Sequence, residues 1–201
     1  MIVAPDDPTP TVLGLLVLGF SPQDFLPGSE IQFLAIQGTD LADEVLDSAV
    51  LHGNISDQLR NLREKINGRN RTSVDILSGP THTMTTLYPM AAIDQLAYNA
   101  VLHRAYEATC APVRVYWFSD RIEIISPGGP YGCVTCENFG KPGVRDFRNP
   151  NLASAMKTLG FGRQIGRGIA TARKVIEQNG NPPLELIPDR HTVRCIVRKH
   201  P

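Results

Sequence analysis

The stretch Tyr88–Tyr106, YPMAAIDQLAYNAVLHRAY, decides how the rest of the chain is read. Its apolar residues have helical spacing: Ile93, Leu96, Ala97, Ala100 and Val101 fall on one side, and Pro89 suits a first turn. Gln95, Asn99 and His103 recur every fourth residue, so on a helix they form a ladder, with Tyr106 near its lower end. A solvent-facing stripe would be richer in Lys and Glu. Two amides and an imidazole suit a cleft, where each can donate to or accept from a ligand.

Outward from this helix the chain alternates between strand and helix patterns. After it, VRVYWF (113–118) and RIEIIS (121–126) read as strands joined by a tight Ser-Asp turn, and the second runs into Pro-Gly-Gly-Pro. Residues 132–148 read as a long irregular segment rich in Gly, Cys and Pro. NPNLASAMKTLG (149–160) has an Asn cap and a Gly stop, the punctuation of a helix. A glycine-rich loop, GFGRQIGRG, then feeds a second helix, and LELIPDRHTVRCIV (184–197) reads as a closing hairpin. Before it, IQFLAIQG (31–38) reads as a strand, and ISDQLRNLREKING (55–68) places Ile55, Leu59, Leu62 and Ile66 on one helical face. Arg60, Arg63 and Lys65 fall away from that stripe as a solvated face. TVLGLLVLGF (11–20) leaves helix or strand open, Met1–Pro10 reads as loose, and residues 68–87 hold two short strand-like pieces. This order predicts an α+β fold, a two-layer sandwich of helices on one face of a mixed, largely antiparallel sheet. Residues 1–87 are expected to pack on or extend a main domain spanning 88–201.

The bulk numbers exclude more than they assign. Among 201 residues, 20 Lys+Arg balance 20 Asp+Glu, so net charge points to neither nucleic acid nor membrane. No run approaches the roughly 18 apolar residues needed to cross a bilayer. With no basic region before residues 11–20, that run does not read as a signal peptide, and a reduced, cytoplasmic setting is the simplest expectation for the four cysteines. Cys133-Val-Thr-Cys136 has the spacing of half a zinc site or of a redox pair, yet no second pair follows, and ordinary thiols are expected.

The ladder helix resembles the asparagine-bearing helix of the GHKL ATPase superfamily. More closely, YPxxAI…NAxxHRxY, then DRIEIxSPGG, RNPxLA and GRGI resemble the C-terminal domain of RecG-like transcriptional regulators. Those proteins carry a Schlafen/Alba-type N-terminal DNA-binding domain. The resemblance covers most of the chain, and its GHKL motifs are degenerate. It implies ATP as ligand and Mg²⁺ held by the oxygen of Asn99. It implies a general-base glutamate four residues earlier, where this chain has Gln95. A neutral amide cannot take a proton, so little or no hydrolysis is expected, and Gln95 could only orient a water. Ser126 stands where the superfamily has the aspartate that binds the adenine amino group, and a hydroxyl is a poorer acceptor. Gly128 and Gly129 fit either an ordinary turn or a backbone that approaches a ligand. Arg163, Gly166, Arg167 and Gly168 belong to a loop that the superfamily uses as a lid over phosphates. By spacing alone, the same loop fits a corner between helices. His103 either faces the cleft or binds a carbonyl at the helix end, and Arg104 is expected in a structural ion pair.

The resemblance therefore implies a nucleotide-sensing module of a bacterial or archaeal regulator, too inert to be called an enzyme, working as a homodimer and reaching DNA through a separate N-terminal domain. The alternative is a scaffold for dimerisation whose nucleotide site is dead. A helicase motor is not supported, because the sequence has no Walker-type phosphate loop.

Overall fold

The computed structural model describes residues 3–4, 7–70, 72–75, 83–161 and 167–201. Two short antiparallel strands, β1 (Val3–Ala4) and β2 (Asp7–Pro10), open the chain, where a loose segment was expected. Helix α1 (Val12–Leu18) follows, capped by the Thr11 hydroxyl, which accepts from Gly14 N at 3.1 Å. Then come β3 (Ile31–Ile36), β4 (Val45–Leu51), α2 (Ile55–Asn67), a β5 (Thr72–Asp75) and β6 (Thr83–Thr86) hairpin, and the ladder helix α3 (Met90–His103). The second half holds β7 (Val113–Trp117), β8 (Arg121–Pro127), α4 (Pro150–Thr158), α5 (Gly168–Gln178), β9 (Glu185–Pro188) and β10 (Thr192–Arg198).

Six strands form one open sheet in the order β4-β3-β7-β8-β10-β9. Only β3 and β7 run parallel, and the other neighbours are antiparallel. With five α-helices among the described residues layered against it, this is the α+β architecture that the pattern predicts. Register explains the core. Ile31, Phe33 and Ala35 of β3 stand beside Val113, Val115 and Trp117 of β7, then Ile124 and Ile122 of β8, then Cys195 and Val197 of β10. Alternation with period two puts all of these on the face that meets the helices.

Helix α2 starts where Asn54 Oδ1 accepts from Asp57 N at 3.1 Å, and it buries the predicted stripe Ile55, Leu59, Leu62 and Ile66. Its charged side is more structured than a solvated face. Arg63 meets Asp94 of α3 at 3.1 Å, and Lys65 meets Asp47 of β4 at 3.0 Å. Helix α3 buries Ala92, Ile93, Leu96, Ala97, Ala100 and Val101. Three of these are alanines, which lets β8 and α5 approach closely.

Arg104 is 1 % exposed and makes no ion pair with a described carboxylate. Its guanidinium donates instead to Ala111 O at 2.8 and 3.2 Å and to Thr109 O at 3.1 Å, and lies 4.7 Å from the Tyr106 ring centroid. Asn149 also departs from expectation. It makes no cap bond to α4; its amide donates at 2.8 Å to both Leu102 O and Arg104 O, closing the C-terminal end of α3. Strand β4 has no counterpart in the sequence reading. It is an edge strand with Val45, Leu46 and Val50 all exposed, so it lacks the alternation that marks a half-buried strand.

Candidate functional site

A cavity of about 440 Å³ lies between α3, the C-terminal end of β8, the irregular segment after it, and α5. That volume is in the range of small-molecule sites. Gln95, Asn99 and His103 all line it, as do Ser126, Gly128, Gly129 and Gly168. Arg167 is exposed at the N-cap of α5 and outside the lining, and Arg163 and Gly166 lie outside the described residues.

The two amides sit against the start of α5. A Cβ placed on Gly168 would lie 2.8 Å from Asn99 Nδ2 and 3.3 Å from both Asn99 Oδ1 and Gln95 Oε1. No described residue hydrogen-bonds either amide, although both residues are half-buried. The first turn of α5 has backbone N–H groups without helical partners and the positive end of the helix dipole. Amides and helix start thus converge on one place, where an anion with a coordinated cation would be stabilised.

His103 stacks on Phe147, with ring centroids 5.8 Å apart and planes 12° from parallel. Burial, with the Arg148 guanidinium nearby, pushes its imidazole pKa down from 6.5 to about 4, against the pull of Asp146. It therefore lines the cleft as a neutral ring at pH 7. Because the folded pKa is depressed, the unfolded chain binds the extra proton first as pH falls. The neutral ring's contribution is complete above pH 6.5 and is lost toward about pH 4. The loss is expected to be on the order of 3 kcal/mol. Urea unfolding across pH 7 to 4 measures it, and His103→Gln should flatten that part of the profile.

Ser126 is 5 % exposed, and its hydroxyl donates to Ala100 O of α3 at 2.7 Å. Its oxygen can face the cavity only as an acceptor. Gly128 has φ +100, and a Cβ there would lie 2.9 Å from Ala105 Cβ, so the strand end must be glycine to pass the chain just beyond α3. Gly129 is pressed against the β9–β10 turn, where a Cβ would come within 2.3 Å of Asp189 O. These contacts make the Gly-Gly pair a packing element that also borders the cavity.

The sequence reading missed the far wall. Val134, Phe139, Lys141, Arg145, Asp146 and Phe147 line the cavity from the irregular segment. Arg173 and Lys174 of α5 add positive charge, against Asp146 and Glu177. The basic residues in the segment are visible in the sequence, but only the long-range fold shows that they meet α3. Cys195 of β10 also lines the cavity, and burial pushes its thiol up to about 12, so it stays protonated at pH 7.

Comparison with known proteins bears on the second half of the chain and on the fold. Residues 111–197 match the family described as "Putative ATP-dependent DNA helicase recG C-terminal". This part of the chain is similar to an ATPase-like domain of RecG type. Among solved structures, 17 chains match. One is the crystal structure of the DIP2311 protein from Corynebacterium diphtheriae, with a TM-score of 0.81 and 21% identity over 100% of this chain. The match covers 39% of that longer chain, and at this identity it shows a common fold. No curated protein matches the chain. The RecG-type match contains Ser126, the Gly-Gly pair, the irregular segment and α5, while Gln95, Asn99 and His103 lie just before it. No helix among the described residues is long and apolar enough to cross a membrane.

Proposed function

We propose that this chain is the nucleotide-sensing module of a RecG-like transcriptional regulator, binding ATP with Mg²⁺ and hydrolysing it little or not at all. The observation that carries this reading is the convergence of the unpartnered Gln95 and Asn99 amides on the start of α5, at a cavity of about 440 Å³. Mg²⁺ fits such a site, because it keeps several waters and takes the rest of its six oxygens from phosphates and one or two protein groups. Asn99 Oδ1 would supply one. When bound, the ion would gather the phosphates and neutralise part of their charge.

The chain's own residues explain the inertness. Gln95 can orient a water and cannot deprotonate it. Among the described residues, no nearby carboxylate replaces the base. Asp94 is turned to α2 by Arg63, and Asp146 accepts from the backbone of Cys133 and Phe147. Glu177 is nine residues along α5 from Gly168, about 13 Å at the helical rise. The basic side chains Lys141, Arg145, Arg173 and Lys174 favour an anionic ligand.

Calorimetric titration with ATP and Mg²⁺ tests the reading. Saturable binding is expected, weakened at least about tenfold in Asn99→Ala, which corresponds to about 1.4 kcal/mol. No heat at millimolar nucleotide overturns it. We further place the module in the cytoplasm, as a homodimer, coupled to DNA through a separate N-terminal domain. Phe20, Phe25 and Leu18 are 98, 70 and 59 % exposed and supply an apolar surface for self-association. Sedimentation should show a dimer that Phe20→Ser weakens.

A further inference from the structure

We propose that Cys133 and Cys136 form a reversible thiol–disulfide site that reshapes the cavity wall; its effect on ligand binding rests on the nucleotide reading above. Both thiols are free and exposed, and they flank Val134, which lines the cavity. Cys133 makes three of the hydrogen bonds that hold the segment. Its backbone N–H donates to Asp146 Oδ2 at 3.2 Å, and its Sγ–H donates to Arg145 O at 3.4 Å. Its carbonyl accepts from Asn138 Nδ2 at 3.1 Å, and the Asn138 side chain also accepts from Thr135 N at 2.7 Å. Cys133 therefore ties the near limb of the segment to Arg145 and Asp146 on the far limb, and both of those residues line the cavity.

No strand or helix constrains residues 133–136. Among the described residues, no group of three or more His, Cys, Asp or Glu side chains is arranged to hold a metal ion. With glutathione disulfide as oxidant, the step balances as two exchanges. The Cys136 thiolate is the freer nucleophile, because the Cys133 proton is engaged by the Arg145 carbonyl. Cys136 sulfur attacks one glutathione sulfur, the S–S bond breaks, and one glutathione leaves as thiolate. Cys133 sulfur then attacks Cys136 sulfur and releases the second glutathione. Two protein thiols are oxidised, two electrons reduce glutathione disulfide to two glutathiones, and the two protons pass to them through solvent. The product lacks the Sγ–H bond to Arg145. The link also fixes residues 133 and 136 at the Cα separation of a disulfide, about 4.4–6.8 Å, with Val134 inside the closed loop.

The full chain would be equilibrated with reduced or oxidised glutathione and followed by peptide mapping, amide hydrogen exchange and ATP titration. The expected result is a Cys133–Cys136 link, faster exchange at Thr135, Asn138 and Phe147, and about tenfold weaker ATP binding. Cys133→Ser keeps a donor for Arg145 O and should hold the reduced properties under both conditions. A stable glutathione adduct, links through Cys110 instead, or a Cys133–Cys136 link with unchanged exchange in residues 135–147 each overturns the proposal. Absence of ATP binding in both states overturns the nucleotide reading alone, and the exchange rates still decide the switch.

Discussion

Arg104→Met is expected to destabilise the protein by about 4 kcal/mol, the combined cost of orphaned part-buried acceptors and lost packing of a buried side chain against the Tyr106 ring. Arg104 is 1 % exposed, and its guanidinium satisfies the carbonyls of Thr109 and Ala111 while lying over the Tyr106 ring. Methionine fills similar space and leaves both carbonyls without donors. Its loss also frees the loop that turns α3 into β7, and so loosens the C-terminal end of the ladder helix. For a chain of this size the midpoint of thermal unfolding should fall by roughly 8–16 °C. Arg104→Lys should recover only part of this, because an ammonium cannot span two carbonyls in the fixed fork of a guanidinium. Equal stability of the methionine variant and the native chain in urea would show that the carbonyls find water instead.

The same region shows what the sequence could and could not reveal. The α3 ladder was legible because helical periodicity is local: four-residue spacing places Gln95, Asn99 and His103 on one face wherever the helix sits. The β7–β8 hairpin and the closing β9–β10 hairpin were legible for the same reason, since alternation and turn residues lie within a few positions. Arg104 was legible as structural and illegible in its partners. A guanidinium is usually paired with a carboxylate, and nothing local announces that two carbonyls of residues 109 and 111 will close around it. Asn149 failed likewise. Its position before Pro150 marks a helix start, but the carbonyls at the end of α3 compete for its amide across 45 and 47 residues of chain.

The cavity divides along the same line. One wall is a helix face and could be read. The opposite wall is an irregular segment whose lining residues, Val134, Phe139 and Phe147 among them, have no period. Tertiary contact alone brings Phe147 onto the His103 ring. Strand β4 was missed because an edge strand with exposed apolar residues on both faces carries neither an alternating nor a continuous apolar pattern.

Gly168→Ala separates the site from the fold. At the first position of α5, alanine suits the helix at least as well as glycine, so thermal stability should be unchanged or slightly raised. Its Cβ would stand 2.8 Å from Asn99 Nδ2, inside any real contact distance. What gives way is the end of a side chain, not backbone, so the strain is relieved by rotating the Asn99 amide away from the start of α5. That rotation removes the one oxygen proposed for Mg²⁺ and places a methyl group where phosphates would approach the first N–H groups of the helix. ATP binding should weaken about a hundredfold, equivalent to about 2.7 kcal/mol. Unlike Asn99→Ala, this variant keeps every polar group of the ladder. A loss of binding with intact stability therefore assigns the effect to where Asn99 points, whereas native-like affinity would show that the start of α5 is not where the ligand sits.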